Sequence, residues 1–140
     1  MDIRQLSPRY FVSPQISPDD ISGLKEAGIT RILCNRPDME VPPGLSAQTM
    51  RGAAEAAGLS FAEQPLTHQS LVPDVIAENR ALGAETDEVV LAYCASGTRS
   101  CIAWALGQAG EMPAEDIMSA ARAAGYDLSN IAHVLDRPFS

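Results

Sequence analysis

Short apolar runs alternate with amphipathic stretches of helical spacing along the whole chain. The most continuous apolar run, residues 88–93, has the length and composition of a strand that is buried on both faces. After Ser17, a proline and two aspartates favour a helix start, and Gly28 supplies the C-terminal stop. The pattern predicts strands at 10–12, 29–34, 59–64 and 88–93, and helices at about 17–27, 46–57, 73–83, 98–109, 113–124 and 128–135.

The alternation of strands with helices predicts an α/β domain. Its mainly parallel central sheet should be flanked by helices on both faces. The 140 residues suffice for one hydrophobic core, so we expect a single domain over residues 1–140. In such sheets, ligands bind beyond the carboxyl ends of the strands. The segment after the run 88–93 is therefore the first place to expect a functional site.

The composition indicates a folded domain and argues against several classes of partner. Apolar residues make up 46% of the chain and charged residues 20%, which is typical of a folded domain. A formal net charge of -8 argues against a nucleic-acid partner. No apolar run approaches a membrane span, and the opening residues lack the apolar region of a signal peptide. The three cysteines and two histidines show no metal-ligand spacing. We expect a cytoplasmic protein with reduced thiols and neither metal nor other cofactor.

The segment from Cys94 to Ser100 carries the candidate chemistry. A strand delivers Cys94 at its carboxyl end, and the next residues let the backbone N–H groups point inward as an anion-binding nest. The following helix start and the planar fork of Arg99 favour an anion at the same place. They also stabilise a Cys94 thiolate, the candidate nucleophile, which the Ser100 hydroxyl could bind or help to discharge. The candidates for substrate binding in this loop are Ala95, Ser96, Gly97 and Thr98.

Packing is the ordinary alternative for each of the three cysteines. Free cysteine is often a small buried apolar residue, but the glycine, hydroxyl and arginine neighbours of Cys94 are poor choices for packing alone. Cys101 follows Cys94 by seven residues and is a candidate to form a disulfide with an oxidised Cys94. Packing of Cys101 against the sheet is the more ordinary interpretation. Cys34 and Trp104 are expected in the core.

The chain resembles a known family over nearly its whole length. The residues that carry the resemblance are Gly28, Asn35-Arg36-Pro37-Asp38, Glu40, the loop from Cys94 to Ser100, Trp104 and Gly125-Tyr126-Asp127. The loop resembles the active loops of cysteine phosphatases and rhodaneses, and its six residues from cysteine to arginine match the rhodanese length. The whole chain is similar to the bacterial phosphatase-like domains of β-lactamase-hydrolase-like proteins. This resemblance implies a dual-specificity-phosphatase-like fold, alone or fused to a persulfide-handling domain that we do not expect here.

The resemblance leaves the proton donor open. In dual-specificity phosphatases an aspartate on a separate loop protonates the leaving oxygen, but the matching residues 64–70 contain no carboxylate. His68 is the substitute candidate and Asp38 the second, although an idle loop histidine and a backbone-capping aspartate are the ordinary interpretations. Arg36 is a candidate for binding substrate oxygens, with Asp38 orienting Arg36 or Arg99.

Three functions stay open at this point. A cysteine-dependent phosphatase-like hydrolase is the first, and a rhodanese-like sulfurtransferase that forms a Cys94 persulfide is a close alternative. General acid assistance typically contributes ~100- to 10,000-fold to expulsion of an alkoxide, whereas sulfite leaves without it. The missing carboxylate therefore favours sulfur transfer, while the fold favours phosphate chemistry. The third is a non-catalytic anion-binding module. In each case we expect a small anionic partner: a phosphoester, thiosulfate or a persulfide.

Overall fold

The computed structural model describes residues 2–140, and within them five strands and five α-helices follow one another. The strands are β1 Arg4–Ser7, β2 Tyr10–Ser13, β3 Arg31–Cys34, β4 Ser60–Glu63 and β5 Val90–Tyr93. The helices are α1 Ile21–Glu26, α2 Ala47–Ala56, α3 Pro73–Leu82, α4 Thr98–Gln108 and α5 Ala114–Ala123. Short 3-10 segments lie at Pro18–Asp20, Asp38–Glu40, Pro43–Leu45 and Ser129–Val134.

The five strands form one sheet in the order β1-β2-β5-β3-β4. Only β1 runs antiparallel to its neighbour, and the other three pairings are parallel. Strand β5 lies at the centre, where Tyr93 pairs with Ser13 of β2 and with Cys34 of β3. The carboxyl ends of the four parallel strands, β2, β5, β3 and β4, therefore lie at the same edge of the sheet. This topology confirms the predicted α/β fold with a mainly parallel sheet.

Both faces of the sheet are buried, because successive side chains of a strand point to opposite sides. Leu91 and Tyr93 belong to the core that includes Met50 of α2. Val90 and Ala92 belong to the core on the other face, with Trp104 of α4. Helices thus cover both faces of β5, which makes its end a rigid support for the loop that follows.

The predicted elements agree with the structure except at the start, the end and one loop. Strand β1 was not predicted, because as an edge strand it buries only Leu6 and shows little alternation. The predicted first helix begins as the 3-10 turn Pro18–Asp20, and the predicted last helix is the 3-10 segment Ser129–Val134. The loop after β3 contains two unpredicted 3-10 turns. No helix in residues 2–140 is long and apolar enough to cross a membrane.

Candidate active site

Cys94 follows β5 directly and is completely buried. Its Sγ accepts a hydrogen bond of 3.2 Å from the backbone N–H of Gly97. Gly97 has a φ of 92°, a left-handed conformation that disfavours side chains, and an added Cβ would collide with the hydroxyl of Tyr126. The sequence Cys-Ala-Ser-Gly therefore curls the chain back so that an N–H group faces the sulfur.

The loop backbone is anchored to the strand beside it. The N–H of Cys94 donates to the Ser13 carbonyl at 3.4 Å, and the N–H of Gln15 donates to the Ala95 carbonyl at 3.3 Å. Helix α4 begins at Thr98, so its free N–H groups and the positive end of its dipole lie at the end of the loop. One loop N–H, that of Gly97, and the start of a helix thus lie next to Cys94.

Arg99 lies in the first turn of α4, and only 9% of its surface is exposed. Its Nη1 donates to the Leu66 carbonyl at 2.7 Å and to Glu40 Oε2 at 2.9 Å, and its Nη2 donates to Glu40 Oε1 at 2.7 Å. The hydrogen bond with Glu40 and the neighbouring Cys94 raise the pKa of Arg99. The same hydrogen bond lowers the pKa of Glu40. Glu40 is therefore a carboxylate at neutral pH and an acceptor, not a proton donor.

The Glu40 carboxylate also binds Arg36. Arg36 Nε donates to Glu40 Oε1 at 3.2 Å, and its Nη1 donates to Gln15 Oε1 at 3.2 Å. Asp38 has a different partner, because its Oδ1 accepts the N–H of Ala47 at 2.8 Å, at the start of α2. Asp38 was expected to orient Arg36 or Arg99, but in the structure Glu40 holds both arginines.

Ser100 belongs to a buried polar network behind the loop. Its Oγ donates to Asn35 Oδ1 at 2.8 Å, so the hydroxyl is directed to Asn35 instead of the sulfur. Asn35 Nδ2 donates to the Gln64 carbonyl and to Asn79 Oδ1, both at 2.9 Å. These contacts tie the segments after β3 and β4 to helices α3 and α4. The network fixes the position from which Arg99 extends.

A cleft of about 390 Å³ opens above the loop. His68 is exposed on one wall, in the segment that follows β4. Arg99 and three residues of the cysteine loop also line this cleft. The lining residues are Glu40, Thr67, His68, Gln69, Ala95, Ser96, Thr98 and Arg99. The structure thus brings His68 to the same cleft as Arg99 and the loop that follows the buried Cys94.

The other two cysteines are buried thiols. Burial, together with the nearby Cys94, raises the pKa of Cys101 to about 12. Burial also raises the pKa of Cys34, whose Sγ lies 3.5 Å from the Arg36 carbonyl oxygen. Neither thiol ionises appreciably at neutral pH.

The role of Glu40 could not be predicted from its local sequence. Arg36 and Glu40 are four residues apart, a spacing that indicates a local ion pair. Glu40 and Arg99 are 59 residues apart, and only the tertiary structure joins them. The Leu66 carbonyl and the hydroxyl of Tyr126 were missed for the same reason.

The mostly parallel sheet, with a loop between its central strand and a helix, defines a domain of the cysteine-phosphatase-like fold. Residues 2–111 match the family model of the phosphatase-like domain of beta-lactamase hydrolase-like proteins. The chain belongs to this family, which confirms the resemblance drawn from its residues.

Individual relatives agree with this assignment. The chain is 32% identical over 142 residues to the beta-lactamase hydrolase-like protein of Xylella fastidiosa (strain 9a5c), covering 98% of the chain and 32% of the relative. The relative from Agrobacterium fabrum is 27% identical over 135 residues and is covered to 31%. The chain thus spans about a third of the length of the curated relatives it matches.

Solved structures extend the comparison. A candidate phosphatase from Neisseria meningitidis Z2491 superposes with a TM-score of 0.84 at 34% identity, covering 97% of each chain. The core catalytic domain of the PP-IP phosphatase SIW14 from S. cerevisiae, solved with citrate, gives a TM-score of 0.68 at 14% identity. That match covers 94% of this chain and 81% of the other, and it shows the fold alone. Together the comparisons support a phosphatase-like function.

Proposed function

We propose that this protein is a cysteine-dependent phosphatase that binds a small phosphomonoester in the cleft lined by the cysteine loop and Arg99. The observation that carries the proposal is the Cys94 sulfur, which accepts the Gly97 N–H within the loop that lines a cleft together with Arg99. An N–H donor, a helix start and a guanidinium beside a thiol all favour its ionised form. The family and its structural neighbours support the same reaction class.

The reaction proceeds in two displacements. The Cys94 thiolate attacks phosphorus, the S–P bond forms, and the ester P–O bond breaks with its electron pair on the leaving oxygen. The loop amides and Arg99 stabilise the charge on the non-bridging oxygens. Water then attacks phosphorus, and the S–P bond breaks to return the thiolate and release inorganic phosphate.

Arg99 can serve the substrate while Glu40 holds it. A guanidinium has five N–H groups, and the contacts to Glu40 and Leu66 use three of them. The Nε hydrogen and the second Nη2 hydrogen form the adjacent side of the fork, with the geometry to bind two oxygens of one anion. Glu40 therefore orients the guanidinium through one edge and leaves another edge for phosphate.

His68 is the proposed proton donor to the leaving oxygen. It lines the same cleft as Arg99, whereas the carboxylates of Glu40 and Asp38 are bound to Arg99 and to the Ala47 N–H. A substrate whose leaving group is a weak base needs this proton less. Substitution of His68 by Ala should therefore slow hydrolysis of phenyl phosphate more than that of p-nitrophenyl phosphate.

The direct test is turnover of p-nitrophenyl phosphate by the purified protein. Cys94→Ser should abolish phosphate release, while the matched variant Cys101→Ala, which alters another buried cysteine, should retain it. Acid quenching during turnover should trap a phosphoryl group on the peptide that contains Cys94. Undiminished turnover by Cys94→Ser, or no turnover by correctly folded wild-type protein, would contradict the proposal.

Sulfur transfer is the second candidate, favoured by the absence of a carboxylate from residues 64–70, part of which forms the cleft wall. The Cys94 thiolate would attack the sulfane sulfur of thiosulfate, forming an S–S bond as the S–SO3 bond breaks and sulfite leaves. An acceptor thiol would then remove the sulfur. Incubation with thiosulfate should add one sulfur atom to Cys94, and an unchanged mass excludes this reaction.

A binding module without catalysis makes a different prediction. Sulfate binding would then survive Cys94→Ser and be lost with Arg99→Ala, without turnover of either substrate in the wild-type protein. Calorimetry with sulfate, run beside the two assays, separates this alternative from both enzymes.

A further inference from the structure

Tyr126 lies directly behind the cysteine loop, in the segment after α5. It is 8% exposed, and its hydroxyl donates to the Ser96 carbonyl oxygen at 3.1 Å. The N–H of Gly97 belongs to the same peptide group and donates to Cys94 Sγ at 3.2 Å. One peptide plane therefore accepts a hydrogen bond from Tyr126 at one end and donates a hydrogen bond to the sulfur at the other.

The geometry of a peptide group makes these two contacts dependent on each other. The group is planar and trans, so its carbonyl and its N–H point in opposite directions, and fixing one fixes the other. Gly97 has wide backbone freedom, so this plane could otherwise rotate away from the sulfur. A donor at the carbonyl also polarises the N–H, which strengthens its bond to the sulfur.

Tyr126 is itself held by strand β1. The guanidinium carbon of Arg4 lies 5.1 Å from the centre of the Tyr126 ring, within cation–π range. Arg4 Nη1 also donates to the Ala124 carbonyl at 3.1 Å. Burial raises the pKa of Tyr126, so its hydroxyl keeps the proton that it donates to Ser96. The edge strand thereby fixes the ring against the loop.

We propose that Tyr126 is a positioning residue that orients the Ser96–Gly97 peptide toward Cys94 and so sets the reactivity of the thiol. Tyr126 acts on the sulfur through the Ser96–Gly97 peptide, because its hydroxyl binds the Ser96 carbonyl and the Gly97 N–H binds Cys94. The inference rests on the proposed role of Cys94 as a nucleophile, but it holds for phosphate and for sulfur transfer alike. Tyr126 lies beyond residues 2–111, which the family model matches.

Tyr126→Phe removes the hydroxyl and keeps the ring. The readout is the rate of Cys94 alkylation by iodoacetamide between about pH 5 and 9, with the modified peptide located by mass spectrometry. At neutral pH we expect the rate to fall by about three- to tenfold, the effect of one lost neutral hydrogen bond. The half-maximal rate should also move to higher pH. The groups that face the sulfur from α4, Arg99 and Cys101, are unchanged in this variant.

Ile117→Val is the matched control. Ile117 is fully buried on α5, the helix that leads to Tyr126, so its truncation lowers the melting temperature without touching the loop. Alkylation should keep its wild-type rate and pH profile in this control. An equal slowing in both variants, or a wild-type rate in Tyr126→Phe, overturns the proposal.

A second variant keeps the test decisive if Tyr126→Phe folds poorly. Arg4→Gln leaves the hydroxyl in place and removes the cation above the ring, so alkylation should slow by a smaller factor. An unchanged rate in Arg4→Gln together with a misfolded Tyr126→Phe overturns the proposal. If wild-type protein turns over no phosphate ester while Tyr126→Phe still slows alkylation, the proposed phosphatase fails and the role of Tyr126 stands.

Discussion

Arg99 and Glu40 form two hydrogen bonds between one guanidinium and one carboxylate, from Nη1 to Oε2 at 2.9 Å and from Nη2 to Oε1 at 2.7 Å. Such paired contacts fix the plane of a guanidinium as well as its position. Arg99 belongs to α4 and Glu40 to the turn after β3, so the contact joins two segments that line the cleft. The orientation of the proposed anion-binding group thus depends on a residue that is distant in the sequence.

The first prediction concerns selective reaction of one cysteine. In the native protein at about pH 8, iodoacetamide should modify Cys94 well before Cys101 or Cys34, although all three are buried. The pKa of Cys101 is about 12, and burial also raises that of Cys34, so both stay protonated. Peptide mass spectrometry after limited alkylation measures the order. Modification of Cys101 first would contradict the assignment of Cys94 as the reactive thiol.

The second prediction concerns the network centred on Asn35. Its amide binds Ser100, Asn79 and the Gln64 carbonyl, and Asn35 is completely buried. Asn35→Ala leaves these groups without their partner, at a cost of about 1–3 kcal/mol for each unsatisfied buried group. We expect a loss of about 3 kcal/mol in the free energy of unfolding, measured by urea denaturation.

The matched substitution for this network is Asn130→Ala, because Asn130 is an exposed asparagine in the 3-10 segment Ser129–Val134. It should change stability by less than about 0.5 kcal/mol, as most surface substitutions do. Equal losses in the two variants would show that the buried network does not stabilise the folded protein.

The sheet was predictable because its strands are short apolar runs bounded by glycine, proline and polar turns. The apolar run 88–93 predicted a strand buried on both faces, and β5 is indeed buried at every position. The cysteine loop was predictable for a local reason, since Cys94, Gly97 and Arg99 lie within six residues. Edge strand β1 was not predicted, because a single buried residue, Leu6, gives no alternation of apolar and polar positions.

The residues that contact the cysteine loop and Arg99 could not be predicted, because only the tertiary structure brings them together. Glu40 reaches Arg99 from the turn after β3, and Tyr126 reaches Ser96 from beyond α5. Periodicity and local spacing carry no information about contacts that are 59 or 30 residues apart. The resemblance to a family included both residues without indicating what either one contacts.

The third prediction concerns Asp38 as a helix cap. Asp38 Oδ1 accepts the N–H of Ala47, one of the N–H groups that α2 cannot satisfy internally. Asp38→Ala should lower the free energy of unfolding by about 1 kcal/mol. Asp38→Asn keeps an acceptor oxygen and should lose less. Urea denaturation of the two variants makes the comparison, and equal losses would contradict a role that depends on the hydrogen bond.

The fourth prediction is a pH dependence of stability that arises from Glu40. The hydrogen bond from Arg99 lowers the pKa of Glu40 in the folded protein, whereas an unfolded glutamate has a pKa of about 4.3. A carboxyl whose pKa is lowered by folding stabilises the folded state above its unfolded pKa. That stabilisation is lost as the pH falls through the lowered folded value. Glu40→Gln should therefore be less stable than wild type at neutral pH, and the difference should shrink below about pH 4.

The size of this effect is modest, because 30% of the Glu40 side chain is exposed and solvent screens the pair. We expect a difference of about 1 kcal/mol at pH 7, measured by urea denaturation at several pH values. Glu78→Gln makes the same charge change at an exposed position of α3 and should follow the wild-type profile. A Glu40→Gln deficit that stays constant from neutral to acidic pH would mean that the ionised carboxylate does not hold Arg99. The arginine would then be oriented by the Leu66 carbonyl and the packing of α4 alone.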